Sequence, residues 1–319
     1  MIFEKQVVNG YKGMMHTRYD NTEISFYFSH KDFAGFEREE YAFKSSMGHT
    51  LQGYLYSYKD FIKGRLIVFD HGLGNGHRAY MKEIEKLCSH GYRVFAYDHT
   101  GCMESGGEST NGLAQSLCDL NDCLATIKAD KRFTGIDISV VGHSWGAFST
   151  LNIAALHPEI SHIVAMSGFV SVEEMMKTFF AGPLKGYRKP ILAVERSANP
   201  KFSTFHAVES LKNSNVKALL IYSENDQLCR RTHYDILKEG LQEKENVRFL
   251  LVPNKGHNPN YTEEAVKLLE VFKKAREKFA KKKTTKEQKA AFVASFDWHK
   301  MTEQDEAVWK EIFAHLDDK

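Results

Sequence analysis

Short apolar runs recur along the chain with polar stretches between them. Leu66-Ile67-Val68-Phe69, Val94-Phe95-Ala96-Tyr97, Ile138-Ser139-Val140-Val141 and Ile163-Val164-Ala165-Met166 come first, and residues 218–222 and 247–252 follow. Each run is four to six residues long, rich in β-branched or aromatic side chains, and bounded by Gly, Asp, Pro or Asn. Runs that are apolar throughout, and not at every second position, belong to strands covered on both faces. Between them, residues 77–90, 113–129, 147–157, 231–241 and 262–280 carry apolar side chains at helical spacing. Strand and helix in alternation predict an α/β fold with a doubly wound, mostly parallel sheet.

Two stretches break the rhythm. Residues 40–45 and 51–58 are strand-like and flank Met47-Gly48-His49, which predicts an antiparallel hairpin at the N-terminal sheet edge. Residues 169–206 form a long crossing rich in apolar side chains, among them Met175, Met176, Phe179, Phe180, Leu184 and Tyr187. A crossing of that length predicts a small helical cap or lid. The expected organisation is an N-terminal extension over 1–39, a core over 40–168 and 207–281, the cap over 169–206, and a helical tail over 282–319.

Composition narrows the function classes. The formal charge is +2, with 26% charged and 42% hydrophobic residues, the balance of a globular protein, and it gives no reason to expect a nucleic-acid partner. The basic run over 273–289 reads as the solvated face of a helix continuing into a loop, with contact to an anionic surface as the alternative. Residues 138–158 lack Asp, Glu, Lys and Arg, yet they contain His143, Asn152, His157, Pro158 and two glycines, and they read as strand, turn and helix instead of a membrane span. Residues 1–6 lack the apolar core of a signal peptide. The five cysteines are an odd number without a C-x-x-C pair, which fits reduced thiols and a cytoplasmic location.

The candidate chemistry is concentrated after the third apolar run. Gly142-His143-Ser144-Trp145-Gly146 fits G-x-S-x-G between a strand and a helix, where a sharp turn lifts the serine hydroxyl off the sheet. Gly142 and Gly146 are the small residues that such a turn requires. A serine becomes a nucleophile only with a base to take its proton and an acid to orient that base. Asp226, after the run 218–222, and His257, after the run 247–252, supply them in the order Ser144, Asp226, His257. Glu224 is the competing acid. The backbone N–H groups of Trp145 and Leu73 are the expected oxyanion donors, with Leu73 in the turn Asp70-His71-Gly72-Leu73-Gly74, where Gly72 gives a tight bend and His71 braces the loop or serves as a second base. No H-E-x-x-H, zinc-spaced Cys/His cluster or nucleotide-binding glycine motif is present, so neither metal nor cofactor is expected.

These motifs together resemble the α/β-hydrolase superfamily of serine esterases, lipases, thioesterases and peptidases, over roughly residues 40–280. The segment Asp98-His99-Thr100-Gly101-Cys102-Met103-Glu104-Ser105-Gly106 is similar to the family's D-x-R-G-x-G-x-S loop, with Thr100 and Met103 where Arg and Gly are usual. The turn His71-Gly72-Leu73-Gly74 differs from the H-G-G-G loop of hormone-sensitive-lipase-like esterases. The resemblance implies acyl transfer through a covalent enzyme intermediate, with a small-molecule ester as substrate. Amide, thioester or acyl-transfer chemistry uses the same residues. A peptidase would need a site for the substrate amine, for which Glu173 and Glu174 stand at the start of the expected cap, and a non-catalytic binding protein on this fold is the further alternative.

Overall fold

The computed structural model describes residues 3–20, 28–74 and 76–318. All six apolar runs are strands: β5 (Arg65–Asp70), β6 (Arg93–Tyr97), β7 (Asp137–His143), β8 (His162–Met166), β9 (Lys217–Ser223) and β10 (Val247–Val252), preceded by β1 (Glu37–Glu40), β2 (Phe43–Lys44), β3 (Thr50–Leu51) and β4 (Gly53–Ser57). The main sheet has eight strands in the order β1-β4-β6-β5-β7-β8-β9-β10. From β6 to β10 every pairing is parallel, as in Val68↔Val140 and Val164↔Leu219.

Twelve helices accompany the strands among the described residues: α1 (Glu4–Met15), α2 (Met81–Ser89), α3 (Gln115–Ala129), α4 (Trp145–Ile153), α5 (Val172–Phe179), α6 (Arg188–Ala198), α7 (Ala207–Lys212), α8 (Arg231–Gly240), α9 (Glu263–Ala280), α10 (Lys286–Ala294), α11 (Trp298–Met301) and α12 (Glu306–Leu316). Alternate strand residues feed two cores. Val68, Phe95, Val140, Ile163 and Leu220 pack under α3, α4, α7 and α8, whereas Ile67, Val94, Val141, Val164 and Leu219 pack under α2 and α9–α12. Both faces of β5 to β9 are therefore covered, which is why these strands read as mostly apolar runs.

The antiparallel edge is present, but its arms differ from the sequence expectation. The run expected over 40–45 is split: β1 ends at Glu40 and pairs with β4 (Glu37↔Ser57, Glu40↔Tyr54), while β2 and β3 form a separate two-stranded ladder. The cause is the sequence of β1, Glu-Arg-Glu-Glu, exposed at every position. Charged edge strands resist pairing with another chain, and they carry no apolar signal. Helix α4 begins at Trp145, two residues before the expected 147–157, because the turn at Ser144 runs directly into it. The C-terminal stretch is helical, and its Val293, Trp298, Met301, Trp309, Ile312 and Leu316 are all buried in the second core. Residues 169–206 are helical, and Met175, Met176, Phe180 and Ile191 are buried in the first core. Among the described residues no helix is long and apolar enough to cross a membrane.

A buried charge cluster ties β5, β6, α3 and α4 together. His99 is fully buried between two carboxylates, with Nε2 2.8 Å from Asp70 and Nδ1 3.2 Å from Asp119. Tyr97 Oη and Ser149 Oγ donate to Asp70, and the backbone N–H of Thr100, its hydroxyl and Gln115 Nε2 donate to Asp119. Burial by itself would lower the His99 pKa, but the attraction of Asp70 and the bonds to both acids reverse this and raise it from 6.5 to about 9. A folded-state pKa above the unfolded one contributes stability that is whole below about pH 6.5 and is lost as pH rises through about 9. Urea unfolding at stepped pH should therefore show stability falling between pH 7 and 9.5 in the wild type, with a shallower fall in His99→Gln, whose stability should already be lower at pH 7. Parallel slopes in the two proteins would assign the fall to other groups.

Candidate active site

Strand β7 lies between β5 and β8, and its C-terminal end carries the G-x-S-x-G turn. Ser144 has φ +57° and ψ −112°, a conformation that L-residues other than Gly seldom adopt. It is held by its N–H bonded to Met166 O on β8 and by its own C=O, which accepts from Phe148 as α4 starts. The two glycines are required by contact. A Cβ on Gly142 would lie 2.2 Å from Thr150 Oγ1 and 2.5 Å from Gly146 O, and one on Gly146 would lie 2.1 Å from Asp70 O. Gly72 is similarly confined, with Tyr80 Oη 2.3 Å from where its Cβ would stand.

The three residues expected to carry chemistry converge at this edge. Ser144 Oγ lies 2.8 Å from His257 Nε2, and His257 Nδ1 lies 2.8 Å from Asp226 Oδ2. Asp226 is buried, and its other oxygen accepts from the N–H groups of Leu228 and Cys229 at 2.8 and 3.1 Å. A carboxylate that can only accept fixes Nδ1–H as the donor, which leaves Nε2 free to accept the serine proton. Glu224 is exposed on the same loop, and its N–H bonds to Val252 O. The structure thus brings Asp226, and not Glu224, to the imidazole.

His71 is fully buried with both ring nitrogens occupied by backbone: Nε2 accepts from His99 N–H at 3.0 Å, so Nδ1–H donates to Gly72 O at 2.7 Å. Burial, aided by the charge on His99, lowers its pKa to about 3. It braces the loop and has no lone pair left for a second base. Trp145 follows Ser144 and opens α4, and among the described residues neither its backbone N–H nor that of Leu73 has a protein acceptor. The Trp145 indole is buried, donates to Leu113 O at 2.6 Å, and packs on His99 with ring centroids 4.7 Å apart. The first N–H groups of a helix have no partner inside it and favour negative charge. Glu173 and Glu174 lie in the first turn of α5 and pair with Arg196 and Lys177, at 3.8 and 2.6 Å.

Two connections had no signal in the sequence. Tyr80 Oη accepts from Gly72 N–H at 3.1 Å and lies 2.9 Å from His143 Nδ1, while His143 Nε2 lies 2.7 Å from the carbonyl of His257. Because a carbonyl only accepts, Nε2–H of His143 donates to it, so Nδ1 accepts from the tyrosine. One chain of hydrogen bonds therefore links the loop of Leu73, the residue before Ser144 and the backbone of His257. Burial and the neighbouring His257 lower the His143 pKa to about 3, so it stays neutral near pH 7. In the second connection, Asn225 Oδ1 accepts from Ser223 Oγ and from Gly256 N–H, both at 2.8 Å, which fastens the acid's loop to the base's loop. Among the described residues no group of three His, Cys, Asp or Glu side chains could hold a metal ion.

Comparison with known proteins places this geometry. The model of the family described as alpha/beta hydrolase fold matches residues 65–217. The uncharacterized protein YqkD of Bacillus subtilis is 28% identical over 131 residues, which are 40% of this chain and 42% of that protein. An epoxide hydrolase of Caballeronia sordidicola is 27% identical over 96 residues, 30% of this chain and 28% of that enzyme. The matches thus span less than half the length of these curated relatives. An esterase of Pyrococcus furiosus superposes with a TM-score of 0.58 at 20% identity, over 88% of this chain and 99% of the esterase, a likeness of fold. Strand order, the serine turn and the family match over residues 65–217 agree: the chain has the α/β-hydrolase fold.

Proposed function

We propose that the protein is a serine hydrolase that cleaves carboxylic esters, as a carboxylesterase of small or medium esters. The observation that carries this reading is the pair of 2.8 Å contacts aligning Ser144, His257 and Asp226 at the C-terminal edge of one sheet. His257 removes the hydroxyl proton as Ser144 Oγ attacks the ester carbonyl. The N–H groups of Trp145 and Leu73 hold the resulting oxyanion, and His257 then gives its proton to the leaving alcohol. Water repeats the sequence on the acyl-enzyme. Asp226 keeps the tautomer and stabilises the imidazolium. Residues 169–206 serve as the cap that shapes the acyl site. Five free, buried cysteines fit a reducing, cytoplasmic setting.

Hydrolysis of p-nitrophenyl esters from acetate to palmitate, beside aminoacyl p-nitroanilides, tests this directly. Ester turnover should fall by on the order of 10⁶ in kcat in Ser144→Ala. Turnover of anilides alone would make the enzyme a peptidase, and no turnover of either would contradict hydrolysis. The two candidate acids separate in the same assay. Asp226→Asn should lower kcat by roughly 10⁴, as loss of the tautomer-holding acid does elsewhere, and Glu224→Gln should stay within about twofold. The reverse ranking would reassign the acid. Tyr80→Phe should lower kcat roughly tenfold with KM within about twofold, because Gly72 N–H and His143 Nδ1 lose a shared partner. Unchanged kcat would make the hydroxyl a bystander.

A further inference from the structure

The chemistry above does not use the most uneven charge distribution in the molecule. Residues 273–289 hold nine basic and two acidic side chains, a local charge of +7 in a chain whose total is +2, so everything else sums to −5. The structure turns this run outward. Phe272 packs edge-on against Trp298 and Phe296, with centroids 5.0 Å apart in each case, and Phe279 stacks on Phe292 at 4.3 Å, so the aromatic side of α9 is sealed against α10 and α11. On the opposite side, Lys267, Val271, Lys274, Lys278 and Lys281 follow one another at intervals of four and three residues, which places them along a single stripe. All of them are exposed, Val271 at 58%. Lys282 and Lys283 extend the stripe beyond the end of the helix. Lys267 has Glu263 at 4.0 Å, whereas among the described residues Lys274, Lys278, Lys281 and Lys282 are in no ion pair.

We propose that this stripe docks the protein on an anionic lipid surface. A bilayer carrying acidic headgroups needs only a tangential contact with one protruding face, and four to eight basic side chains on a helix suffice to hold it. The net negative remainder of the molecule would repel a long polyanion laid across it, but it stays clear of a flat surface met at one edge. The side chains between the charges also favour lipid over nucleic acid. Val271 is the exposed apolar side chain within the stripe and can enter the headgroup boundary. The aromatics that could stack on bases are turned inward. This inference goes beyond the hydrolase reading and stands or falls apart from it.

The test is co-sedimentation of the full chain with vesicles of phosphatidylcholine mixed with phosphatidylglycerol, beside vesicles of phosphatidylcholine alone. The protein should pellet with the first and stay in solution with the second, and added salt should release it. The variant Lys274→Gln/Lys278→Gln/Lys281→Gln/Lys282→Gln should lower partitioning at least roughly tenfold. Its melting temperature should stay within about 2 °C of the wild type, since all four side chains are exposed. Equal partitioning into both vesicles, no sedimentation, or undiminished binding of the variant would overturn the proposal. Release of the vesicle-bound protein by duplex DNA at equal phosphate would do the same, in favour of a nucleic-acid partner.

Discussion

The backbone of Ser144, held at φ +57°, is the constraint on which the catalytic edge depends. A non-glycine residue in that region is strained by about 1–3 kcal/mol and persists only when its surroundings leave no alternative. Here β8 holds the serine N–H, α4 takes its carbonyl, and the backbone of Asp70 approaches so closely that only Gly fits at position 146. That approach needs the end of β5 to stay fixed, and Asp70 is held there by Tyr97, Ser149 and His99. The serine turn and the buried charge cluster are therefore one mechanical unit, with the turn supplying the half-buried hydroxyl and the cluster the rigidity.

Electrostatics beneath the site follow from the same arrangement. His99 is held charged between Asp70 and Asp119, whereas His71 and His143 are held neutral by burial. Each has a distinct task. His99 neutralises buried carboxylates and packs on Trp145, His71 fixes the loop that carries Leu73, and His143 joins Tyr80 to the carbonyl of His257. These three histidines differ in charge because their partners differ: carboxylates for one, backbone and hydroxyl groups for the others. The base itself is then free to accept the serine proton without a charged imidazole beside it.

The sequence made the parallel half of the fold legible because burial on both faces leaves mostly apolar runs in β5 to β9, while β10, at the sheet edge, keeps an apolar run around an exposed Arg248. Ser144, Asp226 and His257 were legible for a related reason: each follows such a run at one edge of the sheet. Less visible was whatever depends on pairing across the chain. The charged strand β1 carries no apolar pattern, and its edge position shows only in its register with β4. The residues of α10–α12 look like a tail in order of sequence, yet Trp298, Trp309 and Leu316 close the second face of the sheet. Tyr80 lies eight residues from Gly72 along the chain, and nothing local ties its hydroxyl to His143. The choice between Asp226 and Glu224 rested on two residues of loop, which only burial and distance resolve.

Hydrolysis at this edge requires Ser144 to be an activated nucleophile. Treatment of the intact protein with a fluorophosphonate, followed by mass mapping of the adduct, tests that without assuming any substrate. A single adduct on the peptide containing Ser144, absent from His257→Ala, is the result this geometry predicts. An unmodified Ser144 under conditions that label other serine hydrolases, or an adduct that survives loss of His257, would contradict it.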